Sequence, residues 1–309
     1  MVIAVRPSEI TLPPVGDGYP TVYAFLLAKF PRIPAETWQQ RIEQGKVFWH
    51  DGTLITMTTP FQPSRRVCYY REVSAEPIVP YQHEIIFQNE HVLIACKPHY
   101  LPVIPGGDFV NECLLERVRR DSQLDDLAPV HRLDKETAGL VMFSCNPTSR
   151  ALYHQLFASG AIEKSYLAVA TLSSVMQTLA LGSAFRVENR LEKSNPRFLM
   201  QVVEGAVNAT SRLQLVDKQG DLGLFRLWPE TGKTHQLRLH MQAIGAPILH
   251  DKYYPELLAK HSDFTAMPLQ LLAQQLRFID PVCGTPRHFS STRGLAAWPK
   301  TQTSEGILC

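Results

Sequence analysis

Residues 129–144 read PVHRLDKETAGLVMFS, which sets Asp134 between Arg132 and Lys135 ahead of an apolar run, Leu140 to Phe143. The run is short and bounded, so it predicts a buried strand. Two neighbouring cations favour the charged form of a carboxylate at the mouth of such a strand. That suits a nucleophile, whereas a general acid needs a raised pKa. A second polar cluster, TGKTHQLR at 231–238, opens a helical stripe of Leu237, Met241 and Ile244 that Gly245 ends. Thr234 is the expected cap of this helix. Arg238 then falls in its first turn, where the helix dipole slightly disfavours a cation. An anionic partner is therefore expected, and Asp134 is the candidate. Between the two clusters, Lys164, Tyr166 and Ala168 share one face of a strand predicted over 162–169. A tyrosine there can offer a flat ring to a base or a hydroxyl to a carboxylate.

His235, His240, His250 and Asp251 raise the question of a metal. The five-residue gap on a helix turns His235 and His240 well apart in angle, unlike the i, i+4 pair that helices use for zinc, so no metal is expected. The chain also lacks a phosphate-cradling glycine loop and a dinucleotide fingerprint, so no nucleotide cofactor is expected.

The elements that must position these groups follow from length and pattern. A chain of 309 residues can bury a full core and is expected to form one large domain and a smaller one. Its composition is that of an ordinary globular protein. No apolar run approaches the roughly 18 residues of a membrane span, and the first residues lack the apolar core of a signal peptide. Six cysteines are scattered without close pairs, which implies a reduced, cytoplasmic protein. A net charge of +2 is too small to indicate nucleic acid, so any basic footprint must be local. A monomer is the default.

Residues 1–20, rich in Pro and Gly, read as a loosely held arm. Residues 21–73 read as a small domain: a helix from Thr21 to Phe30, a second from Ala35 to Gln44, then a hairpin of Val47–Trp49 and Thr53–Met57 around Asp51-Gly52. Between Thr21 and Arg71 there are seven basic and three acidic residues, a local excess of four positive charges. Residues 74–81 form a linker. A strand pair over 85–95, a short helix over 111–120, a helix over 148–158 with Leu152, Leu156 and Phe157 inward, and a closing hairpin over 271–289 complete the larger domain, 81–309. The fold class is α+β.

The strings HRLDKETAGLVMFS, ACKP, KSYLA and TGKTHQLRLHMQAIGAPILHDKYY, in this order and at these separations, resemble the RluA-type pseudouridine synthases over roughly residues 81–292. The LLAKFP, IEQGKV and Asp51-Gly52 landmarks of residues 21–73 resemble the small α-L RNA-binding domain named after a ribosomal small-subunit protein. The resemblance implies a central mixed, mostly antiparallel sheet flanked by helices. It implies Asp134 as nucleophile, Tyr166 packed on the target base and Arg238 paired with Asp134, with Ile248 on the pocket floor. Contacts to RNA are expected from Arg132, His131, Lys97, Lys164 and Lys233, and from Arg41 and Lys46 in the small domain. Ala138, Lys233, Leu272 and His250 stand where the family commonly has serine, arginine, histidine and glycine. These departures are expected to bear on RNA contacts and supporting hydrogen bonds.

The expected activity is conversion of specific uridines in ribosomal or transfer RNA to pseudouridine, with RNA as the partner. Two alternatives make different demands. A non-catalytic RNA-binding module would not need the full set of Asp134, Tyr166 and Arg238. A nucleoside or sugar hydrolase would need a second carboxyl in an acid or base role, and the side chain of Glu136 is expected to point elsewhere.

Overall fold

The computed structural model describes residues 1–15, 18–258 and 267–299. They form two compact units, one of residues 1–77 with 105–112, the other of residues 78–104 with 113 onward.

In the first unit, β1 (Val2–Ile3) pairs with β5 (Glu72–Val73), and β2 (Ser8–Thr11), β4 (Arg66–Tyr69) and β3 (Val47–Trp49) form an antiparallel sheet with β4 in the centre. The expected loose arm is thus paired strand. Its signal was missed because its partners lie some sixty residues away and no local pattern announces them. Helices α1 (Val22–Lys29) and α2 (Ala35–Glu43) pack on the sheet through Val22, Phe25, Leu26, Trp38 and Ile42. The hydroxyl of Thr21 caps α1 by accepting from the N–H of Ala24 at 3.1 Å. The expected return strand Thr53–Met57 is reduced to a single bridge, Phe48 to Leu54, on the edge of β3 away from β4, flanked by hydrogen bonds from the Trp49 N–H to the Thr53 carbonyl and from the Ile55 N–H to the Val47 carbonyl.

The second unit is built on one large sheet. Its strands are β6 (Glu84–Gln88), β7 (Val92–Lys97), β8 (Ala128–Pro129), β9 (Ala138–Ser144), β10 (Glu163–Thr171), β11 (Ala184–Lys193), β12 (Met200–Val203), β13 (Ala209–Gln219), β14 (Leu222–Pro229), β15 (Leu271–Ile279) and β16 (Pro286–Ser290). The order is β12-β11-β13-β14-β10-β15-β9-β7-β6, with β16 beside β15 and β8 beside β9. All pairings are antiparallel except β15 with β9. Both β7 and β9 are buried along their whole length, which is why they read as apolar runs rather than alternating ones. Where β9 meets β15, Gly139 has φ +114°, and a Cβ there would lie 2.2 Å from the carbonyl oxygen of Ala273. Only glycine allows that approach.

Helices α3 (Leu114–Ser122), α4 (Arg150–Ala158), α5 (Ser174–Thr178) and α6 (Gln236–Ala243) accompany this sheet. In α4, Leu156 and Phe157 pack on the core as expected, whereas Leu152 is 47% exposed and Tyr153 takes the buried place beside it. The hydroxyl of Tyr153 donates to Asp280 at 3.0 Å, a partner that periodicity alone does not show. Leu237 and Met241 of α6 enter a core cluster with Ala168, Leu213, Phe225, Leu227, Ile248 and Leu271. Among the described residues, no helix is long and apolar enough to cross a membrane.

Candidate active site

The loop 130–137 carries Asp134 between β8 and β9, and three side chains from outside its tip hold it. The ammonium of Lys97, fully buried, donates to the carbonyls of Pro98, Leu101 and Lys135 at 3.0, 2.7 and 3.0 Å. The three carbonyls match the three N–H groups of an ammonium, while burial pushes Lys97 down to about 7. His99 bonds through Nδ1 to the carbonyl oxygen of Glu136 at 2.6 Å, and burial lowers it to about 4. His131 accepts from the N–H of Met142 through Nε2 at 3.1 Å and stacks on Phe157 with centroids 4.5 Å apart. Burial, with a smaller push from Lys164, lowers His131 to about 3. Neutral imidazoles and a hidden cation therefore tie the loop on both sides of Asp134.

The turn 231–236 approaches from the opposite strands. The side chain of Gln236 fixes it: its oxygen accepts from the Thr231 hydroxyl and the Lys233 N–H, and its nitrogen donates to the Thr210 carbonyl and the Ser211 hydroxyl, all within 3.0 Å. The residue that caps α6 is His235, in the left-handed conformation with φ +53°, and not Thr234. The Gln236 side chain engages the Lys233 N–H, and the cap residue makes no side-chain capping hydrogen bond.

Arg238 is buried, and its main partner is Asp251. Nε donates to Oδ2 at 2.7 Å and Nη2 to Oδ1 at 2.5 Å, a bidentate pair with both side chains buried. Asp251 also accepts from the N–H groups of Tyr253 and Tyr254. The guanidinium carbon lies 4.5 Å from the Tyr253 ring centroid and 5.4 Å from that of Tyr254. Nη1 of Arg238 lies 3.8 Å from Oδ2 of Asp134, and Nε2 of His235 lies 3.9 Å from the same oxygen. Burial and the Asp134 carboxylate both push the Tyr166 phenol up, and burial pushes Lys164 down.

A cavity of about 1100 Å³ gathers these groups. Asp134, Tyr166, Arg238, Arg132, His131, Lys164 and Lys233 all line it; Arg132 and Lys233 are exposed at its rim. Four expected site residues are elsewhere. Lys97 is fully buried beneath the loop, where no phosphate can reach it. Ile248 belongs to the core cluster behind the site, and Leu237 and Leu271 supply the apolar lining in its place. In the first unit, Arg41 is buried over Trp38, and it shares Glu72 with Lys46 at 3.4 and 3.0 Å. Both cations are thus held by an internal carboxylate rather than offered to RNA.

Glu136 pairs with Lys135 at 3.6 Å and does not line the cavity. Glu230 does line it, but is held by Arg186 at 2.8 Å and Arg212 at 3.4 Å. The histidines weighed as metal ligands have other partners: His235 the hydroxyl of Tyr254 at 2.8 Å, His240 the side chain of Asn189 at 3.1 Å. Among the described residues, the one group spaced like metal ligands is Glu9, His50 and Cys68, in the first unit.

Sequence reasoning weighed Asp251 and His235 only as metal ligands, and missed their place beside Arg238 and Asp134 and the part of Tyr254. A usable signal existed for the first: an arginine on the buried side of a helix requires a carboxylate, and Asp251 is the next acidic residue after it in the chain. The family departures also find a structural place. Ala138 and Leu272 are register partners in the parallel β9–β15 contact, both fully buried and outside the cavity lining. They affect the core, and the expectation that they alter RNA contacts is corrected for these two. His250 has φ +61°, a conformation in which glycine costs nothing and histidine is among the more tolerant side chains.

The cavity beside the mixed sheet thus sets the Asp134 carboxylate against the buried Arg238, with Tyr166 also in its lining. The sequence profile of RNA pseudouridylate synthases matches residues 91–243. The chain is 32% identical over 209 residues to the dual-specificity RNA pseudouridine synthase RluA of Yersinia pestis, a match covering 66% of this chain and 96% of that one. It is 29% identical to the ribosomal large subunit pseudouridine synthase C of Rickettsia bellii, over 71% of each. Among solved structures, human RNA pseudouridylate synthase domain containing 1 superposes with a TM-score of 0.53 at 18% identity, covering 70% of this chain and 85% of that one. This chain belongs to the RNA pseudouridine synthase family.

Proposed function

We propose that this chain converts a specific uridine of ribosomal or transfer RNA to pseudouridine, with Asp134 as the reacting carboxylate. The observation that carries the reading is the position of Asp134 in the cavity, 3.8 Å from the guanidinium of Arg238. The reaction breaks the bond from N1 to C1′ and forms one from C5 to C1′; the C5 proton leaves and N1 gains one. A single carboxylate starts this either by attack at C1′ or by removal of the C2′ proton. No second carboxyl is required, because the detached base is also the returning reagent. Tyr166 packs against the base from β10 and keeps it in place while it turns. The uridine must first leave its stack, at a cost of about a few kcal/mol. Arg132, exposed at the rim and two residues before Asp134, is suited to fill the gap or to hold a phosphate.

The first unit is assigned to RNA binding on its resemblance to the α-L domain. With Arg41 and Lys46 engaged internally, the exposed Lys29 and Arg32 around the end of α1 are its candidate phosphate contacts.

Mapping pseudouridine in ribosomal and transfer RNA from cells lacking this protein, against wild type, tests the reading. One or a few positions are expected to revert to uridine, and purified protein is expected to restore them. Unchanged maps, or release of free uracil by the purified protein, would overturn it.

A further inference from the structure

His235 has no part in the roles assigned above, yet it is held in a conformation that histidine rarely adopts. Its φ is +53°, it is 8% exposed, and it sits at the start of α6 next to Gln236, whose side chain is fixed by four hydrogen bonds. Non-glycine residues in this region of backbone space persist where surrounding contacts over-determine them, and they cluster at functional sites. The contacts here are specific. Nδ1 lies 2.8 Å from the hydroxyl oxygen of Tyr254, and Nε2 lies 3.9 Å from Oδ2 of Asp134, the oxygen that Arg238 also faces.

The hydrogen bonds fix which ring nitrogen carries the proton. The Tyr254 oxygen accepts from the N–H of Met200 at 2.8 Å. Its own proton has two acceptors in reach, Nδ1 of His235 at 2.8 Å and the carbonyl of Met200 at 3.2 Å. Burial, outweighing the pull of Asp134, pushes His235 below its ordinary value, so the ring is neutral and has one N–H. If that proton were on Nδ1, the lone pair of Nε2 would face the Asp134 carboxylate and repel it. With the proton on Nε2, the ring instead presents a donor to the carboxylate, and Tyr254 donates to Nδ1 at the shorter of its two distances.

We infer that His235 is a positioning residue for the reaction: in the Nε2–H form imposed by Tyr254, it joins Arg238 in restraining one oxygen of Asp134 and leaves the other to meet the ribose. A chain of hydrogen-bond donors thus runs from the backbone of β12 through Tyr254 and His235 to the reacting carboxylate. The two final contacts, 3.8 and 3.9 Å, are longer than hydrogen bonds, as catalytic contacts often are before substrate arrives. The inference rests on the reading of Asp134 as the reacting group.

The test has two arms on the full-length protein. In the first, nitrogen NMR of wild-type protein labelled in histidine, with His235→Gln to identify the signal, reports the protonation of the ring at neutral pH. A protonated Nε2 and a bare, hydrogen-bonded Nδ1 are expected, and a proton on Nδ1 would overturn the inference. In the second, tritium release is followed from RNA carrying uridine tritiated at C5, made in cells lacking the protein, with protein in excess. Tyr254→Phe is expected to lower the maximal rate about tenfold while the half-saturating protein concentration stays the same, because only alignment is lost. His235→Gln, which keeps an amide donor at the position of Nε2, is expected to retain more of the rate than His235→Leu. An unchanged maximal rate in Tyr254→Phe, or equal rates in the two His235 variants, would reject the inference. Failure of the wild type to release tritium would instead strike at the role of Asp134, and the NMR arm would still read the state of His235 by itself.

Discussion

Nη1 of Arg238 lies 3.8 Å from Oδ2 of Asp134 and has no hydrogen-bond partner among the described residues. The other face of the same guanidinium is fully engaged, with Nε and Nη2 on Asp251. A planar fork with five fixed donors can serve two carboxylates in this way, whereas a lysine at the same place cannot. Asp251 neutralises and orients the arginine, and the remaining nitrogen is left directed at the Asp134 carboxylate.

That division of labour makes Asp251 a stringent test. Asp251→Ala leaves a buried arginine without its charge partner, a change that typically costs about 3–5 kcal/mol. Urea unfolding should show a loss of this size. In the milder Asp251→Asn, the rate of pseudouridine formation should fall more than the affinity for RNA, since Arg238 loses its orientation and the RNA contacts are intact.

Asp134→Asn keeps the shape of the side chain and removes its ability to attack or to take a proton. Conversion should fall to background while binding of unmodified RNA, measured by filter retention, is unchanged. Residual conversion within about tenfold of wild type would show that another group does the chemistry.

Arg132→Ala should leave the unfolding free energy within about 0.5 kcal/mol of wild type, as expected for an exposed side chain. It should nevertheless slow turnover of structured RNA. The effect should shrink on a single-stranded fragment containing the same uridine, where no stacked base has to be displaced. Equal rates on both substrates in wild type and variant would remove Arg132 from the mechanism.

Gly139→Ala forces a side chain into φ +114° and directs its Cβ onto the carbonyl of Ala273 at 2.2 Å. The backbone strain alone is worth about 1–3 kcal/mol, and the clash adds to it. Since β9 carries the end of the Asp134 loop, thermal unfolding should shift sharply downward, and any folded protein should be slow. A variant as stable and as active as wild type would contradict the close parallel contact of β9 with β15.

His131 supplies a prediction in pH. Burial sets its folded value at about 3, below the ordinary 6.5. Between these values the unfolded chain binds a proton that the folded chain refuses. Stability is therefore whole above about 6.5 and declines as pH falls towards 3, by up to about 1.4 kcal/mol per pH unit for this one group. Unfolding measured across that range should show a shallower decline in His131→Gln. A slope identical to wild type would mean that His131 accepts its proton while folded.

Some of this protein can be read directly from its residues. The apolar runs of β7 and β9, the punctuation by Pro31, Pro34 and Gly45 around α1 and α2, and the closing hairpin of β15 and β16 are local signals. They are legible because periodicity and backbone restriction act within a few residues. The two polar clusters are legible for a similar reason: a carboxylate, a tyrosine and an arginine of the right types lie in short strings that resemble a family.

What the tertiary structure alone decided is where each charge finds its counterpart. Arg238 takes Asp251 as its partner and only faces Asp134; Arg41 turns inward to Glu72; Lys97 spends its three donors on carbonyls beneath the loop. The first strands pair with residues far along the chain, and Ala138 meets Leu272 across a contact separated by more than a hundred residues. Periodicity describes which side of an element is apolar, but a buried polar group is satisfied by whatever lies opposite it in space. That neighbour is fixed by the closing of the sheet, a long-range event that leaves no mark on the spacing of nearby residues.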